Sequence, residues 1–296
     1  MYNAPPLPVI HNNTYRINPP ESNAQRAAPI GIFDSGVGGL SVAIEIARLL
    51  PNEQILYYAD TANVPYGERN DKEIRDLTAR AIEWLYHKGC KLAVVACNSA
   101  SAFSLDYLRN YYGDAFPIIG LVPALKPAVL HTQSKVVAVL ATNATFRGKL
   151  IQDVIDNFAK PAQVNVLRIT CPELVPFVEQ GLQMSEQCLS ILRTKLDPAI
   201  QQGADALVLG CTHYPFLKPA IQSLYQEQLS LIDSGVAVAH QTSRVLVQKE
   251  LNQTFELVQD EIRLRCYVSG KNSQQLKPIV QRLIPTDLSW EILDVV

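Results

Sequence analysis

The sequence predicts an α/β fold of two pseudo-symmetric α/β lobes, with mainly parallel sheets and an active site in the cleft between the lobes. Short apolar runs, each long enough for a buried parallel strand, alternate along the chain with segments of helical periodicity. Two of these runs, Leu92–Ala96 and Ala206–Gly210, end abruptly at Cys97 and Cys211. Ligands bind at the carboxyl ends of the strands in open α/β sheets. The two thiols are therefore predicted to flank a single site.

The two halves of the chain form a weak internal repeat. In the first half, one strand ends at Asp34 and a later strand ends at Cys97. In the second half, strands end at Thr142 and Cys211, with a similar separation along the chain. In each half, a polar strand end is followed by a strand-end thiol. This repetition predicts two lobes of related topology that face each other.

Each predicted strand is a short apolar run bounded by polar residues or turn formers. The strands are predicted at residues 30–33, 55–59, 92–96, 117–121, 136–141, 164–170, 206–210, 229–232, 262–268 and 288–295. In residues 262–268 the apolar positions alternate with Arg263, Arg265 and Tyr267. This alternation gives the strand one wetter face and places it near a sheet edge.

The helices are predicted from apolar positions three or four residues apart and from the glycines that end them. They are predicted at about residues 40–50, 74–85, 98–112, 143–158, 173–180, 185–202, 235–251 and 274–283. In the second helix, Ile74, Leu77 and Ala81 share one face, and Gly89 ends the helix. Helices therefore follow the strands in both halves, as a parallel sheet requires.

Three parts of the chain are predicted. Residues 1–29 hold six prolines and five asparagines without any hydrophobic period, which predicts a poorly ordered N-terminal arm. Residues 30–121 together with residues 235–296 are predicted to form the first α/β lobe. Residues 122–234 are predicted to form the second.

The composition is that of a globular enzyme, with 48% hydrophobic and 18% charged residues in 296. The formal net charge of −2 indicates no general attraction to nucleic acid or to an anionic membrane. The N-terminus has no basic-then-apolar signal pattern, so a cytoplasmic location is expected. The expected partner is a small-molecule substrate. A homodimer remains one possible state, because no pattern in the sequence determines the oligomeric state.

The residues near the two strand ends suggest acid/base chemistry. A thiol at the N-terminus of a helix tends toward a lowered pKa, which makes it a usable base. One thiolate and one thiol on opposite faces of a carbon acid can remove a proton from one side and return a proton to the other. Such a pair inverts a stereocentre, and Asp34 and His213 add an acid and an imidazole nearby.

Other interpretations of the cysteines agree less well with the sequence. The six cysteines include no C-x-x-C pair, and Cys211 and His213 do not have a usual zinc-ligand spacing. No metal and no cofactor are therefore predicted. A disulfide between Cys97 and Cys211 would leave the surrounding polar residues unexplained. A two-lobed amino-acid sensor without enzymatic activity is a further alternative, although it does not require paired thiols.

Four sequence blocks lie at the predicted strand ends and loops: Asp34–Leu40, Pro65–Gly67, Ala96–Ser101 and Gly210–Pro215. Together, and in this order, they resemble the glutamate racemase family. The resemblance runs from about Ile30 to the region of Gly270. It implies a cofactor-independent racemase that interconverts L- and D-glutamate and supplies D-glutamate for peptidoglycan. It also implies two α/β lobes with the active site between them.

The resemblance implies a role for each matching residue. The catalytic positions of the family correspond to Cys97, Cys211, Asp34, His213 and Glu179. The two cysteines are the acid/base pair, Asp34 and His213 assist one cysteine each, and Glu179 is a further assisting acid. The substrate-binding positions correspond to Asp34, Ser35, Tyr66, Gly67, Asn98, Ser99, Thr212 and His213. Threonine is commoner in the family at Ser99, and the hydroxyl group is retained here.

Related enzymes of the same superfamily remain as alternatives. A racemase of this kind could act on aspartate or a hydantoin, and a decarboxylase could act on an arylmalonate. A decarboxylase requires only one of the two cysteines, so the presence of both Cys97 and Cys211 favours a racemase.

Overall fold

The computed structural model describes residues 23–253 and 261–295. The strands in this part of the chain are β1 (Ile30–Asp34), β2 (Ile55–Ala59), β3 (Leu92–Val95), β4 (Ile118–Gly120), β5 (Val136–Ala141), β6 (Asn165–Thr170), β7 (Ala206–Gly210), β8 (Ser230–Ile232), β9 (Leu264–Val268) and β10 (Trp290–Asp294). Each strand overlaps a predicted strand, and its ends differ from the predicted ends by a few residues at most. The short apolar runs therefore identified the strands correctly.

The helices follow the strands. They are α1 (Asn23–Arg26), α2 (Leu40–Leu49), α3 (Asp71–His87), α4 (Asn98–Tyr112), α5 (Leu125–His131), α6 (Asn143–Arg147), α7 (Lys149–Val154), α8 (Leu174–Glu179), α9 (Glu186–Gln201), α10 (Lys218–Tyr225), α11 (Gly235–Gln248) and α12 (Ser273–Leu283). Among these described helices, none is both long and apolar enough to cross a membrane.

Two parallel sheets organise the fold. One sheet has six strands in the order β10-β9-β2-β1-β3-β4, and the other has four in the order β6-β5-β7-β8. All described strand pairs are parallel. The order β2-β1-β3-β4 in the first sheet repeats as β6-β5-β7-β8 in the second. The predicted α/β class with two related, mainly parallel units is confirmed, and β9 lies one strand from the edge formed by β10.

The strand register shifts the internal repeat by one residue. In the first sheet Phe33 pairs with Val95, two residues before Cys97. In the second sheet Ala141 pairs with Gly210, one residue before Cys211. The residue level with Cys97 is therefore Ser35, and Thr142 is its counterpart in the second half. The sequence alignment of Asp34 with Thr142 was wrong by this one position.

The predicted helix over residues 143–158 is interrupted at Gly148. The chain forms α6, then α7, and then a π-helical turn over Ile155–Ala159. A Cβ atom at Gly148 would lie 2.5 Å from Cβ of Ala102 in α4. The interruption thus lies where the backbone passes against α4, a tertiary contact that the helical pattern alone does not reveal.

The ends of the predicted lobes are only partly within the described residues. Residues 1–22 of the predicted N-terminal arm, residues 254–260 and residue 296 lie outside them. Residues 23–29 include α1, where the Arg26 carbonyl accepts a hydrogen bond from Lys91 Nζ at 2.6 Å. Helix α11, at the predicted return to the first lobe, packs against α2. The lobe boundaries at residues 121 and 234 stay a prediction.

Candidate active site

A small cavity lies where the carboxyl ends of β3 and β7 meet. Its volume is about 20 Å³. Nine predicted site residues line it: Ser35, Tyr66, Gly67, Cys97, Asn98, Ser99, Cys211, Thr212 and His213. Both strand-end thiols therefore face the same space, although Cys97 and Cys211 lie far apart in the sequence. Asp34 and Glu179 are not in the wall of the cavity.

Five residues that were not predicted complete the wall: Pro65, Glu68, Thr142, Pro172 and Val175. Thr142 had a signal in the sequence, because the internal repeat places it at a strand end, as it does Asp34. Pro172 and Val175 had no such signal in the sequence, because it is the turn from β6 into α8 that brings them to the cavity.

Cys97 lies at the start of α4 and is 5% exposed. Its Sγ accepts a hydrogen bond from Ala100 N at 3.5 Å and donates one to Ser35 Oγ at 3.8 Å. Burial, and after it the nearby Asp34 carboxylate, raise the pKa of the Cys97 thiol well above its ordinary value. The expectation that the helix N-terminus lowers this pKa was wrong, because desolvation outweighs the weak hydrogen bond from the helix.

Cys211 belongs to a hydrogen-bonded series that extends away from the cavity. Its Sγ lies 3.7 Å from His213 Nδ1, and His213 Nε2 donates to Glu179 Oε1 at 2.6 Å. Burial lowers the pKa of His213, but the hydrogen bonds with Cys211 and Glu179 outweigh burial and raise that pKa well above its ordinary value. The hydrogen bonds with Cys211 and Glu179 therefore favour the protonated form of the His213 imidazole beside the Cys211 sulfur.

Asp34 connects the two halves beneath the cavity. Its Oδ1 accepts from Gly36 N and its Oδ2 accepts from Thr212 Oγ1, both at 3.0 Å. The side chain is fully buried, and burial raises its pKa to about 6, although His213 and these hydrogen bonds act in the opposite direction. Among the described residues, no hydrogen bond joins Asp34 to Cys97. Asp34 acts on Cys97 through its charge and orients Thr212 directly.

We expect Asp34→Asn to change the pH dependence of stability. The carboxyl group ionises near pH 3.8 in the unfolded chain and near pH 6 in the folded protein. The unfolded chain therefore releases this proton first, and the folded state loses stability as the pH rises through this window. The loss is about 3 kcal/mol, because each pKa unit corresponds to about 1.4 kcal/mol.

Asparagine does not ionise, so the variant lacks this loss. Its free energy of unfolding, relative to that of the unchanged protein, should rise by about 2 kcal/mol between pH 4 and pH 7, because part of the difference is already present at pH 4. Urea titrations across this range measure the difference. A difference that stays constant with pH would contradict the raised pKa of Asp34.

A second polar network lies on the Cys97 side of the cavity. Ser99 Oγ and Thr142 Oγ1 are 2.9 Å apart, and Thr142 Oγ1 also contacts Thr145 Oγ1 at 2.9 Å. Asn98 Oδ1 is buried and has no hydrogen-bond partner among the described residues. The wall therefore offers several hydroxyl groups and one free amide acceptor to a ligand.

The described residues contain no group of three or more His, Cys, Asp or Glu side chains that could hold a metal ion. All six cysteines are free, so the disulfide alternative is not realised in this structure. The expectation that no metal and no cofactor take part stays a prediction.

Comparison with known proteins gives the family. The sequence profile described as Asp/Glu/Hydantoin racemase matches residues 30–242, which are most of the chain and include the four-stranded sheet and strands β1–β4 of the six-stranded sheet. The chain belongs to this racemase family. It is an isomerase, and the predicted resemblance and enzyme class are confirmed.

Racemases of this family with curated names are similar over most of their length. A glutamate racemase from Deinococcus radiodurans is 56% identical over 220 residues, which are 74% of this chain and 75% of that protein. One from Ectopseudomonas mendocina is 46% identical over 230 residues, 78% of this chain and 86% of that protein.

A solved racemase structure agrees with the fold. It is Escherichia coli glutamate racemase in complex with L-glutamate and the activator UDP-MurNAc-ala, which is 33% identical. The alignment covers 91% of this chain and 99% of that one, with a TM-score of 0.76. The two proteins therefore share one fold over most of their lengths.

Proposed function

We propose that this protein interconverts L- and D-glutamate, with Cys97 and Cys211 as the two acid/base groups. The observation that carries the proposal is that the two thiols end equivalent strands of two related sheets and line the same cavity. A carbon acid held between them would present one face to each sulfur. Names of relatives up to 56% identical support glutamate as the substrate.

The reaction needs one thiolate and one thiol. The thiolate takes the α-hydrogen as a proton, the electron pair stays on the substrate as a carbanion, and the opposite thiol delivers its own proton to the other face. Reversal exchanges the protonation states of the two sulfurs. The raised pKa of Cys97 favours its thiol form, which is the proton donor, and the imidazole of His213 lies beside Cys211.

Substrate binding would use hydroxyl and amide groups. The cavity wall contains no lysine or arginine, so the carboxylates of glutamate would meet hydroxyl groups such as those of Ser35 and Ser99. Asn98 Oδ1 is an acceptor suited to the substrate ammonium group. A volume of about 20 Å³ has room for about one water molecule. The cleft would therefore open to admit the substrate.

The product D-glutamate would supply peptidoglycan synthesis, and the protein would work in the cytoplasm. Support for the substrate comes from solved relatives, since the Escherichia coli racemase structure contains L-glutamate and one from Francisella tularensis, 26% identical, contains D-glutamate. The side chains in the cavity wall supply an acid, a base and hydrogen-bond donors to a developing carbanion. Neither pyridoxal phosphate nor a metal would be required for these roles.

Deuterium incorporation from solvent tests the proposal. Protein dialysed against EDTA, without added cofactor, is incubated with L-glutamate in D₂O while optical rotation and α-deuterium content are measured. We expect rotation to be lost, the newly formed D-glutamate to carry deuterium, and L-glutamate recovered early to remain protiated. The reason is that the proton removed by one thiol is not the proton delivered by the other.

Three outcomes would contradict the proposal. Retention of protium in early product would indicate one base that serves both faces. Loss of activity after EDTA treatment, restored by zinc, would indicate a metal. Racemisation of L-aspartate or a hydantoin in place of L-glutamate, measured in parallel, would assign the site to a related substrate.

A further inference from the structure

We propose that Tyr57 is a positioning residue for the Cys211 side of the site, acting through a single peptide group and Glu179. Tyr57 lies on β2, outside the cavity wall, and the motifs of the sequence analysis do not include it. The inference rests on the proposed function only in taking Cys211 as a reacting thiol.

The first contact is between Tyr57 and the turn after β1. The hydroxyl of Tyr57 donates to the carbonyl oxygen of Gly36 at 2.6 Å, and both groups are buried. The Tyr57 side chain is 1% exposed, so no water can replace this donor without a rearrangement of the core. The hydroxyl group therefore fixes the orientation of the peptide group that follows Gly36.

The same peptide group holds Glu179 from its other side. The carbonyl of Gly36 and the N–H of Val37 belong to one planar unit, so they point in opposite directions. Val37 N donates to Glu179 Oε1 at 2.8 Å, and the same oxygen accepts from His213 Nε2 at 2.6 Å. A rotation of this peptide would thus move the carboxylate that fixes His213 beside Cys211.

The turn also has no free space around these groups. A Cβ atom at Gly36 would lie 3.0 Å from Cδ of Glu179, and one at Gly38 would lie 2.6 Å from Cε1 of His213. A Cβ at Gly39 would lie 2.8 Å from the hydroxyl oxygen of Tyr57. The turn is packed against all three side chains, so its position is transmitted directly to Glu179 and His213.

Among the described residues, the titratable groups that act on His213 include Cys211 on its own segment, Glu179 at the end of α8 and Asp34 at the end of β1. Of these, Glu179 is the one held by the peptide that Tyr57 fixes. Loss of the Tyr57 hydroxyl should therefore weaken the pair of Glu179 and His213 first.

Tyr57→Phe tests this role, because it keeps the ring in the core and removes only the donor. The matched control is Tyr58→Phe, the next residue on β2, whose ring faces Phe33 and Trp84. Histidine side chains labelled with ¹⁵N are titrated by NMR, and the His213 signal is assigned with His213→Asn. We expect the pKa of His213 to fall by about half a unit or more in Tyr57→Phe and to stay unchanged in Tyr58→Phe.

Kinetics give the second readout. We expect kcat/KM for glutamate to fall by about tenfold to a hundredfold in Tyr57→Phe, equally in both directions because the equilibrium constant cannot change. Gly36→Ala, which displaces Glu179 without altering Tyr57, should lower the pKa of His213 in the same way. The NMR titration needs no activity, so it separates failure of this inference from failure of the proposed function.

Two results would overturn the inference. One is a Tyr57→Phe protein whose His213 pKa and kcat/KM match those of Tyr58→Phe, which would leave Tyr57 with a packing role. The other is a Tyr57→Phe protein that does not fold, because loss of a bond that only orients one turn leaves the sheets intact.

Discussion

Replacement of either Cys97 or Cys211 by serine is expected to lower the rate of glutamate racemisation by about 10²–10⁴-fold, the usual contribution of a general acid or base. A serine hydroxyl is far too weak an acid to replace a thiol at neutral pH. Both side chains are buried in the cavity wall, so water has little access to act in their place. The two variants should show similar losses, because each step of the reaction requires both sulfurs.

Isotope exchange distinguishes the two variants from each other. Each should still exchange the α-hydrogen of one enantiomer in D₂O, the one whose hydrogen points at the remaining thiol. Cys188→Ser is the matched control, since Cys188 is equally buried but lies in α9, outside the cavity. Substantial racemisation by Cys97→Ser or Cys211→Ser, or an equal loss in Cys188→Ser, would show that the chemistry lies elsewhere.

The largest effect on stability is expected at the buried ion pair of Lys91 and Glu53. Their side chains are 0% and 5% exposed. Lys91 Nζ contacts Glu53 Oε2 and donates to the Arg26 carbonyl, and Glu53 Oε1 accepts from Gln253 N at 2.8 Å. Burial lowers the pKa of Lys91, while Glu53 opposes that change. The pair connects the start of β3, the strand that leads to Cys97, to two distant segments.

We expect Lys91→Met to lower the free energy of unfolding by about 3–5 kcal/mol, because it leaves a buried carboxylate without its partner. Glu53→Leu should have a similar effect through the unpaired ammonium group. The double variant should be more stable than the sum of the two single effects predicts, since neither charge then remains buried. Urea unfolding at pH 7 measures all three proteins.

An exposed ion pair supplies the control. Lys72 and Asp76 are 2.7 Å apart in α3, and the Lys72 side chain is 77% exposed. Lys72→Met should change the unfolding midpoint little, because solvent screens such pairs. Equal effects of Lys72→Met and Lys91→Met would show that burial does not determine the strength of the Lys91 pair.

The sequence predicted which side chains line the cavity most completely where a polar motif follows a strand end. Cys97 and Cys211 each interrupt an apolar run, and nine of the predicted site residues line one cavity. Thr142 was missed as a site residue although the repeat contained it, because the register that makes it equivalent to Ser35 appears only in the paired strands. Asp34 and Glu179 lie behind the wall, a position that depends on tertiary packing.

The sequence by itself determined the order of the strands, most of the helices, the positions of the two thiols and the family, but it did not predict α1, α5 or α10. These features follow from local periodicity and from short motifs, both of which depend only on residues that are close together in the sequence. The tertiary structure alone decided the bonds between distant segments, such as Thr212 to Asp34 and Val37 to Glu179. It also decided the raised pKa of Cys97, because desolvation depends on every atom packed around a group and not on its neighbours in sequence.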